Sequence, residues 1–300
     1  MKRGREAAGF AALGVAVALG ISACGVSQQQ EVQLGQQESA QIQQQLPLVQ
    51  DALINQYVSS LGNQIASKTS RADLQWQFYV VNTDVVNAFA LPGGIVYVNR
   101  GVLERADRMD ELAGVMAHEI EHVVRRHSVK QMENMQGANM GVALACALTN
   151  VCNNQAAAAA INVGGTAIFA KFSRADEVQA DEGGFHNVMN AGISPEGMLS
   201  FFQKLLAEEQ QAGSSSAANS WFSDHPGTQD RIQDIQNMLA QVPASTLRNL
   251  TTDTQAFQQM KRRVMSLPPA PRQAELLEEA LPGQTAFSPR LPRLPRRRRP

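Results

Sequence analysis

The segment AHEIEHVVRRH, residues 117–127, places three of the chain's five histidines within eleven residues. His118 and His122 are four positions apart, so in a helix they lie about 40° apart around the axis and one turn apart along it. Two imidazoles placed in this way can point at one metal ion without distorting the backbone. The segment is therefore either a polar helix or a helix that carries a metal site.

A long helix is predicted over residues 104–129, because the stretch begins with acidic residues and ends with basic ones, as the helix dipole prefers. The H-E-x-x-H pattern within it is typical of zinc metalloproteases. His127 lies about 180° from His118 on such a helix and cannot bind the same ion. Its predicted role is that of a cation near the helix C-terminus.

A catalytic zinc needs three protein ligands and an open position for water. The candidate for the third ligand is Glu177, which shares a helix face with Asp181 in SRADEVQAD (173–181). Two carboxylates so placed repel one another unless a cation or an imidazole N–H lies between them. We expect Glu177 to bind the metal and Asp181 to accept a hydrogen bond from a ligand histidine or its neighbour. The alternative is a solvated acidic helix face.

The remaining pattern predicts an α+β fold that is mainly helical. Apolar spacing indicates helices over 51–66, 173–192 and 195–211, with another after the DHPGTQ turn. Alternation indicates a strand over 74–82 and a second over 87–103, entered through a Pro-Gly-Gly turn. The small β-sheet should lie beside the helix that carries His118.

The N-terminus has the features of a targeting segment. A basic start is followed by an apolar run too short for a comfortable membrane span, and small residues precede Cys24. This arrangement resembles a bacterial lipobox, which predicts a lipoprotein signal peptide over 1–23 and a lipid anchor on Cys24. The alternative is an ordinary signal peptide cut nearby. Gly25 after the cysteine favours the outer membrane by analogy.

The other boundaries follow from composition. We predict a tether over 24–30, one domain over 31–265 and a disordered Pro/Arg-rich tail over 266–300, whose last eleven residues hold six arginines. Because the whole chain carries a net charge of −1 and both ends are basic, the residues between them are acidic. A nucleic-acid partner is therefore not expected. The tail could contact anionic lipid.

Export would place Cys146 and Cys152 in an oxidising compartment. They are predicted either to form a small-loop disulfide or to remain two buried thiols. Neither is a convincing zinc ligand, because no C-x-x-C pairing is present.

Four blocks of the chain, NAFALPGGIVYVNRGVL, DELAGVMAHEIEHVVRRHS, SRADEVQAD and DHPGTQDRI, carry a family resemblance. In these motifs and their order the chain resembles the membrane-associated zinc metallopeptidase family of HtpX, the CAAX prenyl protease and the β-barrel assembly-enhancing protease, which is gluzincin-like. The resemblance implies that His118, His122 and Glu177 hold one zinc ion per chain. It also implies that Glu119 is the general base and that Asp181 supports the site.

Helix geometry alone does not choose between Glu119 and Glu121, since each lies about 60° outside the histidine pair, on opposite sides. The resemblance assigns the role of base to Glu119. Zinc in such a site activates water, and Glu119 would take its proton and later return it to the leaving amine.

Two further polar residues, His225 and Arg231, follow in DHPGTQDR. Either could donate a hydrogen bond to the oxyanion that develops on the scissile carbonyl. His225 could instead bind the zinc as a fourth ligand and keep the enzyme latent, or merely cap the following helix.

A substrate backbone could add to an exposed strand beside the metal, so that main-chain hydrogen bonds give affinity with little side-chain selectivity. The predicted strand for this role is 95–99, and the alternative is an ordinary core strand. Small side chains nearby would permit close approach of another chain. The candidate substrate-binding residues are Asn87, Ala88, Gly93, Gly94, Ile95 and Tyr97.

Together these features predict an exported, periplasm-facing lipoprotein held at the membrane through Cys24. Its predicted activity is zinc-dependent hydrolysis of polypeptides, namely misfolded or misassembled cell-envelope proteins. Two alternatives remain. One is a membrane-tethered chaperone or assembly factor with a latent metal site, and the other is a structural lipoprotein without metal.

Overall fold

A computed structural model of the chain describes residues 25–134, 172–212, 221, 225 and 228–270. The described part is mainly helical with one small sheet, which confirms the predicted α+β class. The elements in chain order are α1 (Gln28–Gln45), α2 (Ala52–Ala66), β1 (Gln77–Val81), β2 (Ala88–Leu91), β3 (Ile95–Asn99), α3 (Arg100–Arg105), α4 (Met109–Val124), α5 (Arg174–Asn190), α6 (Glu196–Ala212), α7 (Thr228–Gln241), α8 (Ala244–Leu247) and α9 (Gln255–Met265).

The sheet has the order β1-β3-β2, with β3 parallel to β1 and antiparallel to β2. The prediction of a single strand within 87–103 is wrong, since this stretch forms a hairpin followed by α3. Gly93 and Gly94 make the turn with φ values of 82° and 100°. L residues with a side chain rarely adopt this region, so the two glycines allow the chain to reverse here.

Helix α4, which carries the H-E-x-x-H motif, lies at the centre of the molecule. All of its residues from Met109 to Val123 are buried. It packs against α5 and α6 on one side and against α2 and the sheet on the other. A helix buried all round must satisfy its polar side chains within the protein. The polar residues of α4 are therefore tied to neighbouring helices.

The predicted helix over 104–129 is broken at both ends. Helix α3 ends at Arg105, where Lys261 of α9 donates to the carbonyl oxygens of Leu103, Glu104 and Ala106 at 3.2, 2.6 and 2.8 Å. A cation bound to the last carbonyls of a helix stabilises its end. Lys261 lies about 155 residues away in sequence, so the local sequence around α3 does not predict this helix end.

At the other end, α4 stops at Val124 and the chain turns through Arg126, whose φ is 57°. This left-handed conformation is uncommon for a residue with a side chain. Arg126 is held there by Glu31 of α1, whose Oε2 accepts from its Nε at 2.7 Å. Residues 127–134 are helical again.

Helix α1 begins earlier than the predicted tether allows. Ser27 caps it through a capping box with Gln30, so residues 28–30 form the first helical turn. Glu31 in the next position is fully buried and accepts hydrogen bonds from Arg71, Arg126 and the backbone N–H of Gly93. The start of α1 is thereby fastened to the end of α4.

The first residues of the predicted tail also contact the domain, since Arg100 donates to the carbonyl oxygens of Leu267 and Pro268. Within the described part, none of the helices combines the length and apolarity needed to cross a bilayer. The predicted signal peptide, Cys24, the two cysteines at 146 and 152, and the tail beyond residue 270 lie outside the described residues.

Candidate metal centre

Four side chains from three parts of the chain converge at one buried point. His118 and His122 lie one turn apart on α4, Glu177 belongs to the first turn of α5, and His225 precedes α7. One donor atom from each lies within 4.8 Å of the other three, and all four residues are buried. The structure thus brings the three sequence-predicted ligands together, and it adds His225.

Most of the separations between these donors are close to those between the ligands of a tetrahedral metal ion. Zinc bonds of about 2.0–2.1 Å place the ligand atoms of a tetrahedron about 3.3 Å apart. The Nε2 atom of His118 lies 3.0 Å from Nε2 of His122, 3.4 Å from Oε2 of Glu177 and 3.2 Å from Nδ1 of His225. Glu177 lies 3.6 Å from His122 Nε2 and 3.3 Å from His225 Nδ1. Three imidazoles and a carboxylate are donors that suit zinc.

Glu177 contributes a negative charge to the centre. Burial alone would raise the pKa of Glu177, but the neighbouring His225 and His118 hold it far below its usual range. Burial lowers the pKa of His118, yet the hydrogen bonds that it donates to the carboxylates of Asp181 and Glu177 outweigh burial and leave it raised. Burial lowers the pKa of His122 well below its usual value, so this imidazole is neutral and able to donate a lone pair.

The second ring nitrogen of His118 is also bound. Its Nδ1 lies 2.9 Å from Oδ1 of Asp181, the carboxylate predicted to support the site. Because Nε2 points at the centre, the proton of His118 sits on Nδ1 and is donated to Asp181. Such carboxylate–histidine pairs fix the ring orientation of a metal ligand and raise its basicity.

Arg231 lies behind these carboxylates and does not face a substrate. Its Nε and Nη2 atoms donate to both oxygens of Asp181 at 2.6 and 2.7 Å, and its Nη1 contacts Oε2 of Glu177 at 2.7 Å. Its side chain is 1% exposed. The expectation that Arg231 donates to the oxyanion is therefore wrong, because its donors are used by two carboxylates. Its role is to hold Glu177 and Asp181 in place.

The structure separates the two glutamates of the motif. Oε1 of Glu119 lies 3.5 Å from Nε2 of His225, beside the metal centre. Glu121 faces the opposite way, accepting from Arg125 at 2.7 Å and from Asn187 of α5 at 2.8 Å. A Cβ on Gly183 of α5 would lie 2.1 Å from the carboxyl carbon of Glu121, so the glycine gives this side chain its space. Glu121 therefore connects two helices, and Glu119 is the glutamate at the centre.

The predicted role of His127 is wrong. After the turn at Arg126 its ring folds back, and its Nδ1 lies 2.9 Å from Nδ1 of His122. On a continuous helix these two residues would lie about 140° apart around the axis. His127 is 2% exposed and burial lowers its pKa, so it is not a cation at a helix end.

Aromatic rings that the sequence did not single out also line the site. Trp221 stacks on His225 with a centroid distance of 4.4 Å, and Phe172 stacks on His122 at 4.0 Å. Phe202 of α6 lies beneath the guanidinium of Arg231 at 4.9 Å. None of the three stands in a periodic pattern with the ligands, so only tertiary structure brings them together.

The predicted substrate strand is not an edge. β3, which contains Ile95 and Tyr97, is hydrogen-bonded on both sides and all its residues are buried. Tyr97 donates or accepts a 2.7 Å hydrogen bond with Ser39 of α1. At Gly93 the close approach comes from the same helix, since an added Cβ would lie 2.6 Å from Cα of Val32. The assignments of Ile95, Tyr97 and Gly93 to substrate binding are therefore wrong.

The other three predicted substrate-binding residues lie in different surroundings. Gly94 packs against Leu74 and Trp76 in the core, which explains its small size without a substrate. Asn87 directly precedes β2 and Ala88 is its first residue; β2 is one of the two edge strands of the sheet and contacts α4. Of the six candidates, Asn87 alone is partly exposed beside this edge, and Ala88 is buried there.

Comparison with known proteins supports the prediction that these motifs belong to a metallopeptidase. The model of peptidase family M48 matches residues 52–239. The β-barrel assembly-enhancing protease of Escherichia coli strain K12 is 32% identical over 219 residues, which are 71% of this chain but 44% of that protein. The mitochondrial metalloendopeptidase OMA1 of Schizosaccharomyces pombe strain 972 is 32% identical over 197 residues, 66% of this chain and 56% of that protein. The metalloprotease LoiP of E. coli K12 is 26% identical over 183 residues, 61% of this chain and 69% of that protein.

Proposed function

The chain belongs to peptidase family M48, and on this premise we propose that it is a zinc-dependent endopeptidase that acts on misfolded or misassembled cell-envelope proteins. The observation that carries the proposal is the convergence of buried donor atoms from His118, His122, Glu177 and His225 within 4.8 Å of one another. The chain spans less than half the length of the assembly-enhancing protease it matches. The activity and the substrate class are therefore inferred from the site and the family together.

In this proposal His118, His122 and Glu177 hold one zinc ion. Zinc bound there supplies the Lewis-acid chemistry that lowers the pKa of a coordinated water toward about 7 and polarises a peptide carbonyl. Glu119 takes the proton of the attacking water and later returns it to the leaving amine. Asp181 and Arg231 hold the ligands in orientation through the contacts described above.

We place the substrate backbone along β2 instead of β3. The N–H of Asn99 donates to the carbonyl oxygen of Asn87, so in this antiparallel pair the backbone groups of Ala88 and Ala90 point away from β3. The N–H of Ala88 donates to the side chain of Asn87 at 3.0 Å. Ala88 and Ala90 are 1% and 8% exposed, so a substrate strand would pair with the carbonyl of Ala88 and the N–H of Ala90 only after this edge is uncovered, with little demand on side-chain identity.

The position of His225 supports a latent arrangement. Its Nδ1 lies 3.2 Å from Nε2 of His118 and 3.3 Å from Glu177, so His225 would occupy the fourth coordination position, which a catalytic zinc site keeps for water. The ring is held there by stacking on Trp221 and by Arg231, which donates to the carbonyl oxygen of His225 at 3.3 Å. We therefore favour the latch over the oxyanion stabiliser, with activity requiring His225 to move.

Replacing His225 with alanine is expected to raise the rate of peptide cleavage while zinc stays bound by the other three ligands. If the closed arrangement accounts for about nine in ten molecules, the gain is about ten-fold. The measurement is turnover of an unfolded model polypeptide together with zinc content. A loss of activity at full zinc occupancy would instead assign His225 to stabilisation of the oxyanion.

The same arrangement of four ligands favours one alternative function, a membrane-tethered chaperone or assembly factor whose metal site stays latent. The anchor at Cys24, the outer-membrane location and contact of the tail with anionic lipid are also part of our proposal. With these features, the proposed protein is an exported lipoprotein that acts on envelope proteins at the membrane.

The proposed activity is tested by metal removal. Purified protein should cleave unfolded casein, lose this activity when a zinc chelator is added, and regain it when zinc is returned in excess. A serine-protease inhibitor should have no effect, which controls for a contaminating protease. Cleavage that persists at full rate in metal-free protein would overturn the assignment.

A further inference from the structure

His127 is the third histidine of AHEIEHVVRRH, and the mechanism described above does not use it. It is 2% exposed, and it reaches the metal centre only because the chain turns at Arg126. Its Nδ1 lies 2.9 Å from Nδ1 of His122, whose other nitrogen points at the centre. Two ring nitrogens this close share one proton, which must belong either to His122 or to His127.

The hydrogen bond has one consistent direction. A metal ligand offers a lone pair, so when Nε2 of His122 binds the ion the ring proton must be on Nδ1. His122 is then the donor, and Nδ1 of His127 is the acceptor. The proton of His127 sits on Nε2, which lies 3.6 Å from Oδ1 of Asp176 in the first turn of α5.

We propose that His127 is a positioning residue that sets the tautomer and ring orientation of His122 on the metal. This inference rests on the proposed metal site. Phe172 fixes the plane of the same ring from its face, with an interplanar angle of 20°. His127 fixes the ring from its edge, so together they leave His122 one orientation.

The two histidine ligands also differ in the group that accepts their ring proton, and therefore in basicity. His118 donates to a carboxylate, Asp181, whereas His122 donates to a neutral imidazole. An anionic acceptor raises the basicity of a ligand imidazole more than a neutral acceptor does. A neutral partner for His122 also avoids adding another negative charge to a buried centre that already contains Glu177, Asp181 and Glu119.

Three variants of the full chain test this role. His127→Leu fills the space without an acceptor, His127→Asn keeps an acceptor oxygen near the position of Nδ1, and His186→Leu removes an exposed histidine of α5 as the matched control. Zinc affinity is measured by competition with a chelator, and the visible spectrum is recorded with cobalt(II) in place of zinc. We expect His127→Leu to weaken zinc binding by about 10–100-fold and to shift the cobalt spectrum.

His127→Asn should recover most of the affinity and the wild-type spectrum, and His186→Leu should change neither. If His127→Leu binds zinc as the wild type does, or His127→Asn is as weak as His127→Leu, the role proposed for His127 is wrong. A wild-type protein that binds no zinc would instead refute the proposed function, so the two failures are distinct.

A measurement on the unaltered protein covers the case in which His127→Leu does not fold. In zinc-loaded protein with nitrogen-15 histidine, the bond from His122 to His127 should give a scalar coupling between the two Nδ1 nuclei. Absence of that coupling, with both ring resonances assigned, would contradict the proposal.

Discussion

Replacing Glu119 with glutamine is expected to lower kcat/KM for peptide hydrolysis by about 10²–10⁴-fold, the usual contribution of a general base. The amide keeps the size of the side chain but cannot take a proton from water. Glu119 is 1% exposed and lies beside His225, and it is not among the four converging donors. Zinc content should therefore stay at the wild-type level, which separates loss of the base from loss of the metal.

The matched control is Glu121→Gln, two positions away on the same buried helix. Glu121 contacts Arg125 and Asn187 and does not face the centre. This variant should lose some stability but keep kcat/KM within a few-fold of the wild type. The opposite result, with Glu121→Gln inactive and Glu119→Gln active, would reverse the assignment of the base.

The same pair of variants addresses the chaperone alternative. In cells, a protein that works only by cleavage should lose its function with Glu119→Gln and keep it with Glu121→Gln. A chaperone with a latent metal site should keep its cellular role in both variants.

The parts of the site that the sequence predicted are those set by local geometry. His118 and His122 share a helix face because of their spacing, and Glu177 and Asp181 do so for the same reason. The structure places Glu177 with the two histidines and Asp181 behind His118. Two short helical patterns and one family resemblance were enough for these four residues.

The wrong predictions concern features that are set by residues distant in sequence, such as where a helix ends or which strand is central. Lys261 ends α3, and Glu31 holds the turn at Arg126. Without that turn, His127 would point away from His122. The order of the strands is also a long-range property, since pairing with β1 makes β3 central whatever its own residues are. Periodicity within a segment contains none of this information.

The role of Arg231 also depends on distant contacts. An arginine near a metal site can bind a substrate or can pair with carboxylates of the protein, and its own sequence position does not tell which. Only its contacts settle this, and they give the second prediction of large effect. We expect Arg231→Met to lower the free energy of unfolding of the metal-free protein by about 3–5 kcal/mol. The substitution leaves Asp181 and Glu177 buried, charged and without their cation. Urea denaturation at neutral pH measures the change.

The chain offers a matched control that links the same two helices. Arg174 of α5 pairs with Asp230 of α7, but these side chains are 65% and 59% exposed. Arg174→Met should therefore cost less than about 1 kcal/mol, as exposed pairs do. Excess zinc should restore part of the loss in Arg231→Met, because the ion neutralises Glu177 while Asp181 keeps only its hydrogen bond from His118. Equal losses for the two arginines would mean that the buried network does not stabilise the fold, and Arg231 would then have to be retained for another reason.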